Sequence, residues 1–323
     1  MIVVCGAGGF IGGHLVAALR ARGGATIRAV DIKPLDAWFQ QFDDVENMTL
    51  DLREADACRR ACDGAAQVFN LACDMGGMGF IENNKAACMV SVLINTQLLI
   101  AARDALVPRY FFASSACVYP QAKQSTADVV ALCESDAYPA DPEDGYGWEK
   151  LFSERMCRHF HEDHGIGVTM ARLHNVYGPH GTWRGGREKA PAALCRKVIE
   201  AVHGETDSIE IWGDGSQTRS FLWIDDCIER LFRIVDADVA EPVNLGSDEQ
   251  VSVNELADLA MDIAGQRFAR HHIADAPLGV AGRNSDNTLL RARTGGWEPS
   301  TSLRDGLART YAWIEQEYLA CRT

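Results

Sequence analysis

The 323-residue sequence predicts an α/β fold: a doubly wound parallel sheet with a smaller, discontinuous C-terminal domain. Three observations predict it. Short apolar runs alternate with helical patterns as far as Arg172, which is how parallel strands joined by crossover helices read. The first run ends in a glycine-rich turn that opens a helix. Beyond Leu173 the texture changes to polar segments punctuated by glycine and proline.

The elements follow in order. Ile2–Cys5 is a β-type run, and Gly6, Gly9 and Gly12 then give a G-x-x-G-x-x-G spacing before a helical pattern to about Arg22. The first glycine permits the tight turn, the middle one lets a pyrophosphate approach the backbone, and the last lets the helix pack on the sheet. The helix start leaves unpaired N–H groups facing a phosphate. Gly6, Gly8, Gly9, Phe10, Ile11 and Gly12 are therefore candidate dinucleotide contacts, as in a Rossmann-type domain. A second strand, Thr26–Val30, ends in Asp31. An acidic residue there suits a ribose 2′-hydroxyl and would repel the extra phosphate of NADP, which favours NAD as cofactor. Asp51, followed by Leu52, ends a third strand. It suits either the adenine edge or the N-cap of a helix over Leu52–Cys62.

Gln67–Ala72 is a fourth strand, running into the glycine-rich loop Asp74–Gly79. Gly76 and Gly77 would let the backbone approach a ligand, since ligands sit past strand ends in such sheets. A long helix is expected over about Asn84–Leu106, then a strand over Tyr110–Ala113 with a polar tip, Ser114–Cys117. Gln121–Glu143 reads as a surface loop. Tyr146 and Lys150, four residues apart on a helix to about His164, share one face. Gly165–Arg172 is a sixth strand. Further on, Pro191–Val202 is helical and Glu210–Phe221 is a strand–turn–strand. Trp223–Val235 is a helix that returns to the sheet, and Pro242–Gly246 is a strand. Val253–Ala264, Asn287–Thr294 and Ser302–Ala320 are helices. The expected division is a dinucleotide-binding domain over 1–172, with returning segments at about 220–245, and a substrate domain over most of 173–323.

Composition excludes some functions. The net charge of −14 argues against a nucleic-acid partner, which needs a basic surface. No apolar run reaches the roughly 18 residues of a membrane span, so no membrane partner is expected. Eleven cysteines follow no framework spacing, and Met1 leads straight into the first strand with no leader. Reduced thiols and a cytoplasmic location are expected. Cys58 and Cys62 read as helix packing, and His159, His161 and His164 lie on a helix with no completing carboxylate pattern, so no metal is expected.

The glycine turn, Ser115 at the strand tip and the Tyr146/Lys150 pair together resemble the extended short-chain dehydrogenases/reductases, which largely modify nucleotide sugars. A closer resemblance covers nearly the whole chain. Met75-Gly-Gly-Met-Gly-Phe80, Ser114-Ser-Ala-Cys-Val-Tyr-Pro120, Gly181–Ala193 (GTWRGGREKAPAA), Gly213–Phe221 (GDGSQTRSF) and Gly282–Asn287 (GRNSDN) are similar to blocks of the GDP-mannose 3,5-epimerases. That resemblance implies an NAD-dependent isomerase acting on a GDP-sugar at C3 and C5 through transient oxidation at C4. It implies Tyr146, Lys150 and Ser115 for the oxidation, with Tyr146 and Lys150 also touching NAD. Cys117 and Lys189, in isolation a packed thiol and a solvated charge, become the opposing acid and base. Gly76, Gly77, Ser115, Ala116, Cys117, Asn175, Glu188, Lys189, Ala190, Lys197, Gln217 and Thr218 become substrate contacts. Arg219 and Arg283, whose guanidinium forks match phosphate oxygens, become ligands of the diphosphate. Burial and Arg187 would lower the pKa of Lys189, and Glu188 would oppose them.

A 4-epimerase or 4,6-dehydratase acting on another nucleotide sugar is the alternative. Ala116-Cys117 stands where a dehydratase would be expected to carry a carboxylate pair. The chain departs from the plant epimerases in lacking their N-terminal extension and C-terminal tail, in Arg184 where lysine is common, and in a longer Val202–Ser208 segment. These bear on product ratio rather than chemistry. The resemblance also implies a homodimer, paired through the Tyr146 helix and the helix near Ile94–Ala105.

Overall fold

The computed structural model describes residues 1–296 and 298–322. The first half runs β1 (Ile2–Cys5), α1 (Phe10–Arg22), β2 (Ile27–Asp31), β3 (Glu46–Thr49), α2 (Ala55–Cys62), β4 (Gln67–Asn70), α3 (Met78–Asn83), α4 (Lys85–Val90), α5 (Val92–Asp104), β5 (Arg109–Ser115), α6 (Tyr146–His164) and β6 (Gly167–Leu173). It continues with β7 (Val176–Tyr177), α7 (Ala190–Val202), β8 (Ser208–Trp212), β9 (Thr218–Ser220), β10 (Leu222–Trp223), α8 (Ile224–Asp236), β11 (Val243–Leu245), β12 (Gln250–Ser252), α9 (Val253–Ala264), β13 (Ala269–Ile273), β14 (Gly282–Arg283), α10 (Thr288–Arg293) and α11 (Leu303–Ala320).

Seven parallel strands form the central sheet in the order β11-β6-β5-β4-β1-β2-β3. Both faces are covered, so successive strand residues bury alternately in two cores. Val4, Phe69 and Phe111 enter one core with Leu15 and Ile228. Val3, Val68, Tyr110 and Phe112 enter the other with Cys58, Leu98 and Cys157. The first core continues into the C-terminal elements through Leu194, Leu256, Leu307 and Tyr318.

Four expectations are corrected. The helix expected over Asn84–Leu106 is broken at Ser91, whose hydroxyl accepts from Asp74 N at 2.9 Å. With its two parts taken together, Lys85–Asp104 is long and apolar enough to cross a membrane by composition. Here α5 packs between α2 and α6. Gln121–Glu143 is no simple surface loop: Gln124 and Glu143 are buried, and Leu132 bridges to Ser285. The strands within Glu210–Phe221 do not pair with each other: β8 pairs with β13, and β9 with β12 and β14. Asp51 caps no helix, because α2 starts only at Ala55; its carboxylate accepts from Arg53 N at 3.0 Å and pairs with the Arg53 guanidinium.

The histidines on α6 have separate partners. His159 meets Glu162, His161 meets Ile166 O, and His164 lies against the Phe160 ring. Among the described residues no cluster of three or more His, Cys, Asp or Glu side chains could hold a metal. Cys58 donates to Leu52 O at 3.1 Å, and burial pushes it and Cys62 up to about 12, as expected of packed thiols.

Candidate active site

The strand order reverses between β4 and β1. In open α/β sheets the crevice at such a reversal, past the carboxyl ends of the strands, is where ligands bind. Here it is lined by the turn after β1, the loop after β4 and the tip of β5.

The turn after β1 has the shape a dinucleotide needs. Gly6 sits at φ +85°, and a Cβ on Gly12 would overlap Gly6 O. The N-cap of α1, Gly9, has no side-chain cap, so the first-turn N–H groups are left for an anion. Asp31 is buried, and its carboxylate accepts from Gly8 N and Lys33 N, both at 3.0 Å. That fixes the carboxylate at the edge of the turn. Asp51 lies beyond it, turned to Arg53, and Leu52 is packed in the core.

At the tip of β5 the two serines face opposite ways, as the strand period requires. Ser114 Oγ donates to Glu154 Oε1 at 2.5 Å, and Glu154 forms a two-pronged pair with Arg172 (2.9 and 2.7 Å). This buried network pins the strand to α6 and β6. Ser115 Oγ accepts from Cys117 N at 3.2 Å and so caps the short turn Ala116–Val118. A Cβ on Gly147 would overlap Cys117 O, so α6 approaches that turn only because position 147 is glycine.

Tyr146 and Lys150 bury into this junction. Burial drives the Tyr146 phenol well above its ordinary range, and Cys73, Cys117 and Glu149 push the same way; the Ser115 hydroxyl, within reach, opposes them. Lys150 Nζ lies 3.5 Å from Glu149 Oε2 and 4.8 Å from the Phe112 ring centroid. Burial works to lower the Lys150 pKa, but the charges of Cys73 and Glu149 outweigh it, and the net shift is upward. Lys150 is thus held as an ammonium.

Lys189 arrives from the far side, on a loop locked to the one after β4. Gly77 N donates to Arg187 O at 3.0 Å, and Arg187 Nη1 reaches Asp74 Oδ1 at 2.6 Å. A Cβ on Gly77 would overlap Glu188 O, and one on Gly76 would press on the Phe80 side chain. Lys189 caps α7 at the residue before Ala190, where the helix dipole disfavours a cation. Burial lowers its pKa, opposed by Cys117, Cys73 and Cys227. The sequence-based expectation named burial as a lowering cause, as found, but added Arg187 to it and made Glu188 the opposing group. Arg187 is instead turned to Asp74, and Glu188 accepts from Gly186 N and Arg196.

The remaining expected contacts divide. Arg219 is brought to the pocket: its guanidinium donates to the carbonyls of Thr218, Val280 and Ala281, burial lowers its pKa to about 10, and Cys117 opposes that shift. Arg283 reaches Cys117 itself, Nη1 to Sγ at 3.6 Å. Gln217 is buried with Oε1 unpartnered, an acceptor suited to a ligand N–H. Asn175, at φ +38°, donates to Ser220 O (3.1 Å), Lys197 to Glu210 O (2.9 Å), and Thr218 Oγ1 to Ala127 O. These three serve the backbone of the pocket wall. Ala116 is buried beneath Cys117.

Sequence reasoning missed Cys73, which sits within range of Tyr146, Lys150 and Lys189, and Gln124 and Glu143, which hold Arg283. The signal for Cys73 is its place at the end of a strand, directly before the glycine-rich loop Asp74–Gly79. Glu143 precedes Tyr146 by three residues, but nothing local announces a partner 140 residues away.

A pyrophosphate cradle, a Ser–Tyr–Lys set and a second pair of titrating groups make this a nucleotide-sugar-modifying enzyme of the short-chain dehydrogenase/reductase type. The chain belongs to the NAD dependent epimerase/dehydratase family, whose model matches residues 2–246. It is 48% identical to GDP-mannose 3,5-epimerase 1 of Oryza sativa subsp. japonica over 317 residues, 98% of this chain and 82% of that protein. It is 46% identical to GDP-mannose 3,5-epimerase of Arabidopsis thaliana over the same shares. Among solved structures, UDP-glucose 4-epimerase of Thermus thermophilus in complex with NAD superposes with a TM-score of 0.83, covering 97% of this chain and 98% of that one at 20% identity. That last likeness is one of fold.

Proposed function

We propose that the protein epimerises GDP-mannose at C3 and C5 through transient oxidation at C4, giving GDP-L-galactose and, with C5 alone inverted, GDP-L-gulose. What carries the reading is the meeting of Cys117 and Lys189 in one pocket with Ser115, Tyr146 and Lys150. The names and identity of the rice and Arabidopsis relatives support the same substrate.

A ring C–H flanked by ordinary hydroxyls is too weak an acid to lose its proton. A ketone at C4 makes C3 and C5 both α to a carbonyl. Gly6–Gly12 and Asp31 would hold NAD, which would supply the hydride acceptor for oxidation at C4 and the donor for its reversal. Tyr146 takes the C4 hydroxyl proton as tyrosinate, a form that its burial opposes and that the Ser115 hydroxyl and the charge of the Lys150 ammonium favour. One of Cys117 and Lys189 then removes a ring proton, and the C–H electron pair moves into the enolate of the C4 ketone. The other delivers a proton from the opposite face, and the electron pair returns to carbon. Burial lowers the pKa of Lys189, which favours its loss of a proton, and a thiol gives up and takes back a proton at sulfur. Arg219, Gln217 and the other expected contacts would hold the GDP portion.

Incubation with GDP-mannose in deuterated water tests the reading. Deuterium at C5 and C3 of recovered GDP-hexose is expected; its absence from both carbons refutes it.

We also infer a homodimer paired through α4–α5 and α6, in the reducing cytoplasm. Met89, Val90, Leu93, Trp148 and Phe152 expose between 42% and 54% of their surface along this one flank, and the eleven thiols are all free. A Phe152→Glu variant that sediments with the same mass as the unaltered protein would refute the interface.

A further inference from the structure

Glu143 has no role in the chemistry above, yet it is buried beside it. Its backbone N–H donates to Cys117 O at 3.0 Å. Its carboxylate accepts from Arg283 Nη2. The same guanidinium donates through Nε to Gln124 Oε1 at 2.6 Å and through Nη1 to Cys117 Sγ at 3.6 Å. Gln124 is fully buried and donates in turn to Tyr119 O (3.1 Å) and Pro120 O (3.2 Å). Cys117, Glu143 and Arg283 are each less than a tenth exposed. A planar fork gripped at Nε and Nη2 has no freedom left at Nη1. The edge that meets the sulfur is therefore set by the other two contacts.

Charge points the same way. A guanidinium buried beside a thiol is costly unless a counter-ion accompanies it. Gln124 is neutral and cannot supply one; Glu143 does. The groups facing Cys117 come from several elements: Arg283 on β14, Arg219 on β9, Lys189 at the start of α7, Tyr146 on α6 and Cys73 after β4. Three of the five are cationic when protonated. All three draw negative charge towards the sulfur, and the Glu143 carboxylate, paired with Arg283, offsets one of them.

We propose that Glu143 is a positioning residue for the proton exchange, holding the Arg283 guanidinium on Cys117 Sγ and balancing its charge so that the sulfur works in both directions. The proposal rests on the reading of Cys117 as an acid/base. It also assigns Arg283 a task at the thiol beyond the diphosphate contact expected of it.

The test is the rate at which iodoacetamide alkylates Cys117 at pH 7 in the NAD-loaded enzyme without sugar, followed on the Cys117 peptide by mass spectrometry. Glu143→Gln keeps an acceptor for Nη2 and removes the charge. It is expected to speed alkylation at least threefold, and to lower kcat for deuterium wash-in about tenfold while KM moves less than threefold. Adding Arg283→Gln should return the alkylation rate to the original value or below. Equal rates in Glu143→Gln and the unaltered enzyme, or a double variant as fast as the single, would overturn the proposal. Should Glu143→Gln not fold, Arg283→Gln alone decides: at least fivefold slower alkylation supports the arrangement and an unchanged rate overturns it. Because alkylation needs no sugar, its failure removes the role of Glu143 and leaves the epimerase reading standing. Failure of the unaltered enzyme to incorporate deuterium removes the epimerase reading, whatever the alkylation rate.

Discussion

Acidification should unfold this protein partly through one histidine. His174 is fully buried just past the end of β6, where Nε2 meets Asn244 Oδ1 at 3.0 Å and Nδ1 has no partner. Burial lowers its pKa from 6.5 to about 4; the Asn244 bond opposes this and the Arg172 charge adds to it. The folded value lies below the unfolded one, so the unfolded chain binds a proton first as pH falls. The histidine's contribution is fully present above pH 6.5 and is lost as pH falls from there towards 4. At about 1.4 kcal/mol per pKa unit, that gap bounds the loss at about 3 kcal/mol, of which roughly 2 kcal/mol falls between pH 7 and pH 4.5. The assay is urea unfolding of the unaltered protein and of His174→Gln at both pH values, with NAD held constant. Carboxylates titrate in both proteins and cancel in the comparison. The unaltered protein should lose roughly 2 kcal/mol more than the variant. Equal losses would refute the reasoning, for they would mean that the buried imidazole accepts its proton as readily as an unfolded one.

Three further outcomes are expected. Cys117→Ala should abolish deuterium incorporation at C3 and C5 while NAD stays bound, read by isotope analysis of the sugar and by cofactor fluorescence. Gly77→Ala should push the Lys189 loop off its seat and cut turnover by about 100-fold, again with NAD retained; loss of NAD instead would place the damage elsewhere. Glu154→Gln leaves the Arg172 guanidinium buried without its counter-ion, and chemical denaturation should register a loss of roughly 3–5 kcal/mol.

Local patterns carried much of this molecule. The helix over Val253–Ala264 was legible to the residue because its signals are adjacent: Ser252 and Glu255 make a reciprocal capping box and Gly265 closes the other end in the left-handed region. The same holds for Tyr146–His164, which starts after Gly145 and stops at Gly165. What failed was whatever depended on a distant partner. The helix is interrupted at Ser91, whose hydroxyl accepts from Asp74 N, and no propensity within Asn84–Leu106 says so. Gln121–Glu143 looked solvated because it is polar and contains proline. Two of its polar side chains, Gln124 and Glu143, are instead buried against Arg283, and the backbone of Leu132 pairs with Asn284 and Asp286. In the site, the residue types were readable, but the targets of Arg187, Glu188 and Arg283 were not. Arg187 and Arg283 are set by contacts across the fold, and Glu188 by which of its near neighbours, Gly186 N and Arg196, it meets.

The lock between Gly77 and Arg187 bears on how such enzymes can be recombined. Asp74–Phe80 and Arg187–Ala190 lie more than a hundred residues apart in the chain, yet each supplies the surface against which the other takes its shape. They are one component written in two places. A chimera that grafts the lysine loop alone onto a sugar 4-epimerase would import the acid/base without the seat that aims it. Grafting both together should carry the function across.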